Sequence, residues 1–400
     1  VSETRARVVV IGGGIMGLST AYNLARRGVT DVLVVDQSYL CGGASGRNGG
    51  GVRAQFSSEE NIRLMQESIE ICREFAAEMK INVWFRQGGY LFLTRSREKA
   101  AALEASVALQ NRCGLATRLL DPHEARRVVP ELDVSGVLRA SFNPDDGVVF
   151  PWPFVWGFAR AARDLGVRVA TFHAVEGFDT ANGRITGVRL RPTRSGEVTR
   201  GEEVLPAGDA FTVACDEVVL CAGAWSPGIA AMLGVALPNR PHRHEICSTE
   251  PLKPWLQPLV ADLTDGLYFS QSMRGEIVGG VSVEPVPEGI DQRSSRAFLA
   301  TYSASLVRAV PRLAGVKVLR QWAGCYDLTP DGGPIVGRVA DPSNLVLACG
   351  FMGHGFMMAP VMGRLLAEHV HTQETSALFA RWSLERFRTG ALVRETMIIG

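Results

Sequence analysis

The sequence predicts a mixed fold, α/β plus α+β, with a nucleotide-type parallel sheet interleaved with an antiparallel-sheet domain. Three observations predict it. A β-branched apolar run, Arg7 to Gly12, opens the chain and passes directly into glycines and a helical pattern. A similar run, Leu345 to Ala348, precedes a second glycine cluster and helix near the far end. Between them lie short apolar segments punctuated by turn residues and prolines, as antiparallel strands are. A chain of 400 residues exceeds what one hydrophobic core usually holds, so two joined domains are expected. The expected division assigns 1–84, 145–228 and 328–400 to the first domain, and 85–144 and 229–327 to the second.

Composition narrows the function. Hydrophobic residues make up 46% and charged residues 21%, an ordinary globular balance. The formal net charge of +1 carries no footprint of a nucleic-acid partner. The eight cysteines are scattered, with neither a CxxC pair nor zinc spacing, so no metal site is expected. They read as reduced thiols of a cytoplasmic protein. No run of about 18 apolar residues suggests a membrane span, and VSETRAR leads into a strand without a visible signal segment.

The first forty residues carry the strongest motif. Val8 to Ile11 read as a buried strand, and Gly12-Gly13-Gly14-Ile15-Met16-Gly17 fits G-x-G-x-x-G. A helical pattern runs through Leu18, Ala21, Tyr22, Leu24 and Ala25 to Gly28. A second strand, Val32 to Val35, ends in Asp36. In this Rossmann-like unit Gly12 permits the tight turn, Gly14 lets backbone approach a pyrophosphate, and Gly17 lets helix and strand pack closely. The helix start offers free N–H groups to phosphate, and Asp36 can accept the ribose hydroxyls. The fingerprint alone fits FAD or NAD equally. The stretch Cys41-Gly42-Gly43-Ala44-Ser45-Gly46-Arg47-Asn48-Gly49-Gly50-Gly51 favours a flavin, because backbone this bare can lie against a flat, extended ligand.

Further along, Glu59 to Lys80 reads as an amphipathic helix, with Ile62, Met65, Ile69, Cys72, Ala76 and Met79 on one face. Gly89 to Thr94 reads as a strand, Arg97 to Cys113 as a helix, and Asp121 as the cap of another. Pro153 to Leu165 is helical; Val167 to Ala170 and Val175 to Phe178 are strands, followed by a hairpin at Asn182-Gly183. Glu217 to Cys221 is a buried strand running into Ala222-Gly223-Ala224-Trp225. A proline-rich section comes next, in which His242, Arg243 and His244 read as a solvated face. Tyr268 to Ser270 and Glu276 to Gly280 suggest antiparallel strands, and Met358 to Val370 a helix.

These motifs together resemble the D-amino-acid-oxidase-like family of flavoproteins, and within it the β subunits of heterotetrameric sarcosine oxidase and heteromeric L-proline dehydrogenase. The residues that carry the resemblance are Val10 to Gly17, Gly51 to Phe56, Gly89 to Leu93, Cys221 to Ser226, Trp322 to Tyr326, Thr329 to Gly337, Gly353 to Pro360 and the tail around Glu385 to Gly390. It spans nearly the whole chain. It implies a Rossmann-like FAD-binding domain, an FAD cofactor, and oxidation of a small secondary or N-methyl amino acid to an imine, with partner subunits in a heteromeric enzyme. An alternative is an FAD-holding subunit with little activity alone; another is an NAD-linked dehydrogenase, which leaves the C-terminal glycine loop unexplained.

The resemblance also assigns residues. Arg53 matches the arginine that holds the substrate carboxylate, a task suited to a planar guanidinium. The expected cofactor contacts are Gly12, Gly14, Ile15, Met16, Gly17, Asp36 and Gln37; Gly43, Ala44, Ser45, Arg47, Asn48, Gly49 and Gly50; Val175, Ala222, Gly223, Trp225 and Gly332; and Gly353, His354, Gly355, Phe356 and Met357. The last five face the flavin pyrimidine edge in the family, where a helix start would stabilise negative charge. His354 reads either as a packed histidine or as a proton-transfer group. Tyr268 reads as a wall of the amine pocket or as a core tyrosine. Three departures matter. Gly324 stands where the monomeric relative bonds FAD to cysteine, so non-covalent FAD is expected. Met357 replaces a carboxylate-binding lysine. Gly147 to Pro153 lacks the histidine that carries FMN, so covalent FMN is not expected, while FMN at a subunit interface stays open.

Overall fold

The computed structural model describes residues 4–194, 205–286 and 288–398. Along the chain run β1 (Arg5–Ile11), α1 (Ile15–Arg26), β2 (Val32–Val35), β3 (Gly51–Val52), α2 (Glu59–Met79), β4 (Tyr90–Thr94), α3 (Arg97–Arg112), β5 (Arg118–Leu120), α4 (Pro122–Val128), β6 (Arg139–Asn143), β7 (Gly147–Val148), α5 (Pro151–Asp164) and β8 (Arg168–Ala170). Then come β9 (His173–Ala181), β10 (Arg184–Pro192), β11 (Phe211–Leu220), α6 (Ser226–Ala231), β12 (Arg240–Thr249), β13 (Leu259–Asp262), β14 (Tyr268–Gln271) and β15 (Ile277–Gly280). The chain closes with α7 (Arg296–Ala309), β16 (Val318–Leu328), β17 (Ile335–Arg338), β18 (Leu345–Cys349), α8 (Gly355–Thr372), α9 (Ala377–Arg381) and α10 (Arg386–Thr389).

Two large sheets result, as the mixed fold class requires. The first runs β17-β18-β11-β1-β2-β8, with the β9–β10 hairpin extending from β11. Its centre is parallel: β1 pairs with β2 and β11, and β11 with β18. Strands from the start, middle and end of the chain thus lie side by side, and their carboxyl ends open into one crevice. β1 reads as a continuous apolar run because both faces are covered. Helix α1 is buried from Ile15 to Ala25 between α5 and α8. Its approach to α8 leaves no room for a side chain at Gly363, where a Cβ would sit 2.2 Å from Ser19 Oγ. The β9–β10 turn puts Asn182 and Gly183 at φ 52° and 69°, as a two-residue hairpin with right-handed strand twist needs.

The second sheet runs β16-β12-β15-β14-β13-β4-β6-β5 and is antiparallel except where β13 meets β4. Helix α4 starts with a capping box between Asp121 and Glu124, as the Asp-Pro start predicts. Helix α5 begins at Pro151, two residues before the sequence reading, and α8 at Gly355, three before it. The larger difference is β12. The sequence reading leaves Arg240–Thr249 inside a proline-rich section, yet it pairs with β16 along its whole length. Pro241 near its start does not prevent this pairing.

Candidate active site

A cavity of about 500 Å³ lies where the two sheets meet. The first turn forms one end. Gly12 has φ +114°, and a Cβ there would meet Cys221 O at 2.4 Å. A Cβ on Gly17 would lie 2.0 Å from Gly12 O, so Gly17 serves helix–strand packing and does not line the cavity. Gly14, Ile15 and Met16 do line it. The α1 start has no side-chain cap from Gly14; Ile15 N donates to Ser45 Oγ at 3.0 Å instead. Asp36 is fixed by Gly13 N and Ser38 N, each at 2.8 Å. Burial pushes its carboxyl up, and those two amides oppose the shift. Gln37, His173 and Val175 continue this end.

The glycine bed is folded rather than loose. Asn48 Nδ2 donates to Ala44 O and Ser45 O, and Asn48 Oδ1 accepts from Gly50 N at 2.8 Å. Arg47 donates to Gly42 O at 2.9 Å and reaches Ala323 O, while Trp322 Nε1 donates to Arg47 O. The bed is thereby tied to β16. Gly43, Ala44, Ser45, Arg47, Asn48, Gly49 and Gly50 all line the cavity, as do Ala222, Gly223 and Trp225. Gly332 does not. Its turn packs on the C-terminal segment, where a Cβ would meet Ile398 at 3.1 Å. The expected cofactor role for Gly332 is therefore corrected: the Asp331-Gly332-Gly333 turn is held by Arg386 against Asp331 and serves the tail.

From the opposite end of the chain, Gly353, His354, Gly355, Phe356 and Met357 reach the same cavity at the start of α8. Gly353 has φ +80° and lies so close to the Tyr326 ring that a Cβ would meet it at 2.8 Å. His354 Nε2 lies 3.0 Å from Arg53 Nη2. A guanidinium only donates, so Nε2 accepts and the imidazole carries its proton on Nδ1. Burial and then the Arg53 charge hold the His354 pKa well below its usual value. This geometry makes His354 a neutral partner of Arg53. Arg53 itself has 0% exposure. It donates to Gln55 O and Met397 O, and its guanidinium lies 4.0 Å from the Phe56 ring centroid.

The far wall holds residues the sequence reading missed. His244 is buried and stacks on Tyr326 at 4.6 Å, and its Nε2 lies 3.1 Å from Tyr268 OH. Tyr268 and Tyr326 both line the cavity on this side. Burial pushes His244 down to about 3 and the tyrosines up, so this wall is polar but uncharged. The solvated-face reading of His242, Arg243 and His244 is corrected by β12. His244 pairs with Gly324 and points into the cavity, while Arg243 binds Asp291 at 2.9 Å. Cys325 donates to Asp291 O at 3.5 Å, and burial pushes its thiol up to about 11. Among the described residues no cluster could hold a metal ion, and no helix is long and apolar enough to cross a membrane.

Comparison with known proteins gives a consistent picture. The model of the family described as FAD dependent oxidoreductase matches residues 7–369. The sarcosine oxidase subunit beta of Rhodobacter capsulatus is 28% identical, covering 100% of this chain and 92% of that protein. FAD-dependent oxidoreductase domain-containing protein 1 of Bos taurus is 32% identical over 92% of this chain and 81% of its own length. Among solved structures, the L-proline dehydrogenase from P. horikoshii superposes with a TM-score of 0.88 at 33% identity, covering 98% of this chain and all of that one.

Proposed function

The chain belongs to the FAD dependent oxidoreductase family, and from that premise we propose that it oxidises a small secondary or N-methyl amino acid, sarcosine- or proline-like, to its imine. The observation that carries the reading is convergence. The glycine bed, the α8 start, Arg53 and the His244–Tyr268–Tyr326 wall line one cavity, although they come from residues 12–53, 244–326 and 353–357. FAD, when bound, supplies a two-electron acceptor that takes hydride at N5.

The residues present fit that group. Asp36 would hold the ribose, Ser45 and the α1 amides the pyrophosphate, and the bed the ring system. The α8 amides would stabilise negative charge on the ring edge. Cys325 faces Asp291 with a raised thiol pKa, which supports non-covalent attachment. The residues 1–84, 145–228 and 328–400 then form the cofactor domain, and 85–144 with 229–327 the substrate domain. The eight unpaired cysteines fit a reducing, cytoplasmic setting.

The chain's own part is orientation and dryness. Arg53 takes the carboxylate, and His354 buttresses it without competing for charge. The neutral His244–Tyr268–Tyr326 wall receives the amine as the free base, because the two carboxylates that line the cavity are engaged elsewhere, Asp36 by Gly13 N and Ser38 N and Asp327 by Gly350 N and Asn239. Hydride transfer then leaves an iminium whose charge this wall does not repel. Purified protein reconstituted with FAD should bleach anaerobically when sarcosine or L-proline is added. A spectrum unmoved by either compound and by their N-alkyl analogues rejects the reading.

A second reading has its own support: an FAD-holding subunit that works in a complex. Trp84, Phe150 and Trp156 are 44%, 39% and 46% exposed, and Trp84 stacks edge-on against Phe150 just behind the glycine bed. Exposed aromatic clusters of this kind suit a partner subunit. FMN at such an interface would be non-covalent, since Gly147 to Pro153 offers no histidine.

The wall also predicts a pH effect on stability. Burial pushes the folded-state pKa of His244 down to about 3, from an ordinary value of 6.5. The unfolded chain therefore binds the extra proton between those values, and stability present above pH 6.5 is lost as pH falls. A full proton difference corresponds to about 1.4 kcal/mol per pH unit. His244→Phe should flatten the slope of the holoprotein's urea-unfolding free energy between about pH 6 and pH 4 by roughly that amount. Equal slopes in the two proteins would show that His244 is protonated in the fold.

A further inference from the structure

Arg53 is a buried cation without an anion at hydrogen-bond distance among the described residues. The carboxylates of Asp146 and Glu395 act on it only through space, because both are committed elsewhere. Asp146 accepts from Ala54 N at 2.8 Å, Gln55 Nε2 at 2.9 Å and Asn143 Nδ2 at 2.8 Å. Glu395 accepts from Ser57 N at 2.9 Å, and from Ser58 Oγ and Asn61 Nδ2 at 3.0 Å each. The guanidinium is left with two amide carbonyls, of Gln55 and Met397, and a neutral imidazole. A carboxylate is a stronger acceptor for guanidinium than an amide carbonyl, because it adds an opposite charge and can meet the planar fork with both oxygens.

One of those carbonyls belongs to a segment able to leave. After Gly390, residues 391–398 form neither helix nor strand. Val393 N is held by Asp331, and Glu395 is fixed at the start of α2. Among the described residues beyond Glu395 the polar ties are few: Thr396 N to Ser57 Oγ, Met397 N to Glu395 Oε1, both at 2.9 Å, and Met397 O to Arg53. The Met397 side chain is 2% exposed and packs in a cluster with Tyr90, Ile246, Leu259 and Tyr268, all of which line the cavity. Departure of Met397 would thus uncover Arg53 and enlarge the pocket beside the amine wall in one movement.

We propose that residues 396–398 are the substrate gate, in which the Met397 carbonyl keeps the place of the substrate carboxylate on Arg53 and is displaced by it. The gate rests on the reading of Arg53 as the carboxylate partner. It makes the site selective: an amine without a carboxylate has nothing to exchange for Met397 and meets a closed pocket.

The test uses the full chain loaded with FAD and methoxyacetate as a non-oxidisable carboxylate. Binding is followed by the flavin spectrum, and amide hydrogen exchange is read at Thr396 and Met397. Saturating methoxyacetate should accelerate exchange at both amides at least fivefold. A chain ending at Glu395 should bind methoxyacetate at least fivefold more tightly than the full chain. Binding that depends on Arg53, judged by its loss in Arg53→Lys, with exchange unchanged or slowed, overturns the gate and leaves the Arg53 reading standing. Binding indifferent to Arg53→Lys overturns both. Equal or weaker binding by the shortened chain also overturns the gate.

Discussion

Gly12→Val is expected to give a colourless protein. The position has φ +114°, where L side chains are strained, and an added Cβ would lie 2.4 Å from Cys221 O and 2.7 Å from its carbon. Both atoms are backbone at the end of the neighbouring parallel strand, so neither can swing aside. To relieve the clash, the turn between β1 and α1 must shift away from β11. That moves the α1 amides off the position they hold relative to Ser45 and Asp36, whose bonds to Ile15 N and Gly13 N fix the turn. A displacement of this size removes several phosphate and ribose contacts together. FAD affinity should fall by more than about a thousandfold, equivalent to roughly 4 kcal/mol, as measured by flavin fluorescence quenching on titration of the apoprotein. A Gly28→Ala control has open space around its Cβ, although its φ of +82° is also strained. It should lose stability but keep its colour. A yellow Gly12→Val protein would mean that the turn does not touch the cofactor.

The parts of this site legible in the sequence are those whose chemistry demands a local pattern. The β1–α1 turn needs glycines at fixed offsets, and Asp36 must end the next strand, so both stand out unaided. The bed from Cys41 to Gly51 is legible because bare backbone is rare in such density. His244 is not legible. Its neighbours Arg240, Pro241, His242 and Arg243 spell a polar, broken segment, and only pairing with β16 turns it into a strand that alternates between cavity and exterior. Non-local pairing of this kind leaves no periodic trace in so short a segment. Tyr326 lies in a motif shared with the family, but its stacking on His244 depends on that same pairing. Gly332 fails for the opposite reason. Asp-Gly-Gly is a turn wherever it occurs, and whether it faces a cofactor or a tail depends on the path the chain takes after Gly390. The tail does carry a faint signal: Val393, Glu395 and Met397 alternate and are all buried. A carboxylate at a buried alternate position is itself the anomaly, and its five donors explain it.

Arg53→Ala is the substitution expected to separate substrate recognition from flavin binding. Arg53 lines the cavity from below the surface, and its environment is built for a guanidinium rather than for any cation. Nη1 and Nη2 diverge to Gln55 O and Met397 O on two different segments, and Nη2 also meets His354. The Phe56 and Phe92 rings lie 4.0 and 5.3 Å from the guanidinium carbon and give it a flat apolar slot. Removing one partner of a buried, hydrogen-bonded charge pair costs about 3–5 kcal/mol. With an amino-acid substrate, kcat/KM should therefore fall by roughly 140- to 4000-fold at about 1.4 kcal/mol per decade. The loss should be confined to substrates bearing a carboxylate. The corresponding decarboxylated amine should not share this loss, because it never engages the fork. Arg53→Lys should recover only a small part of the loss, since an ammonium cannot span two carbonyls and a carboxylate in one plane. Flavin content should match the wild type in both variants, because none of the Arg53 hydrogen bonds reaches the glycine bed or the α1 turn. If carboxylate and decarboxylated substrates lose the same factor, Arg53 is a packing residue. The selectivity must then lie with the α8 start, where Met357 takes the place of a lysine.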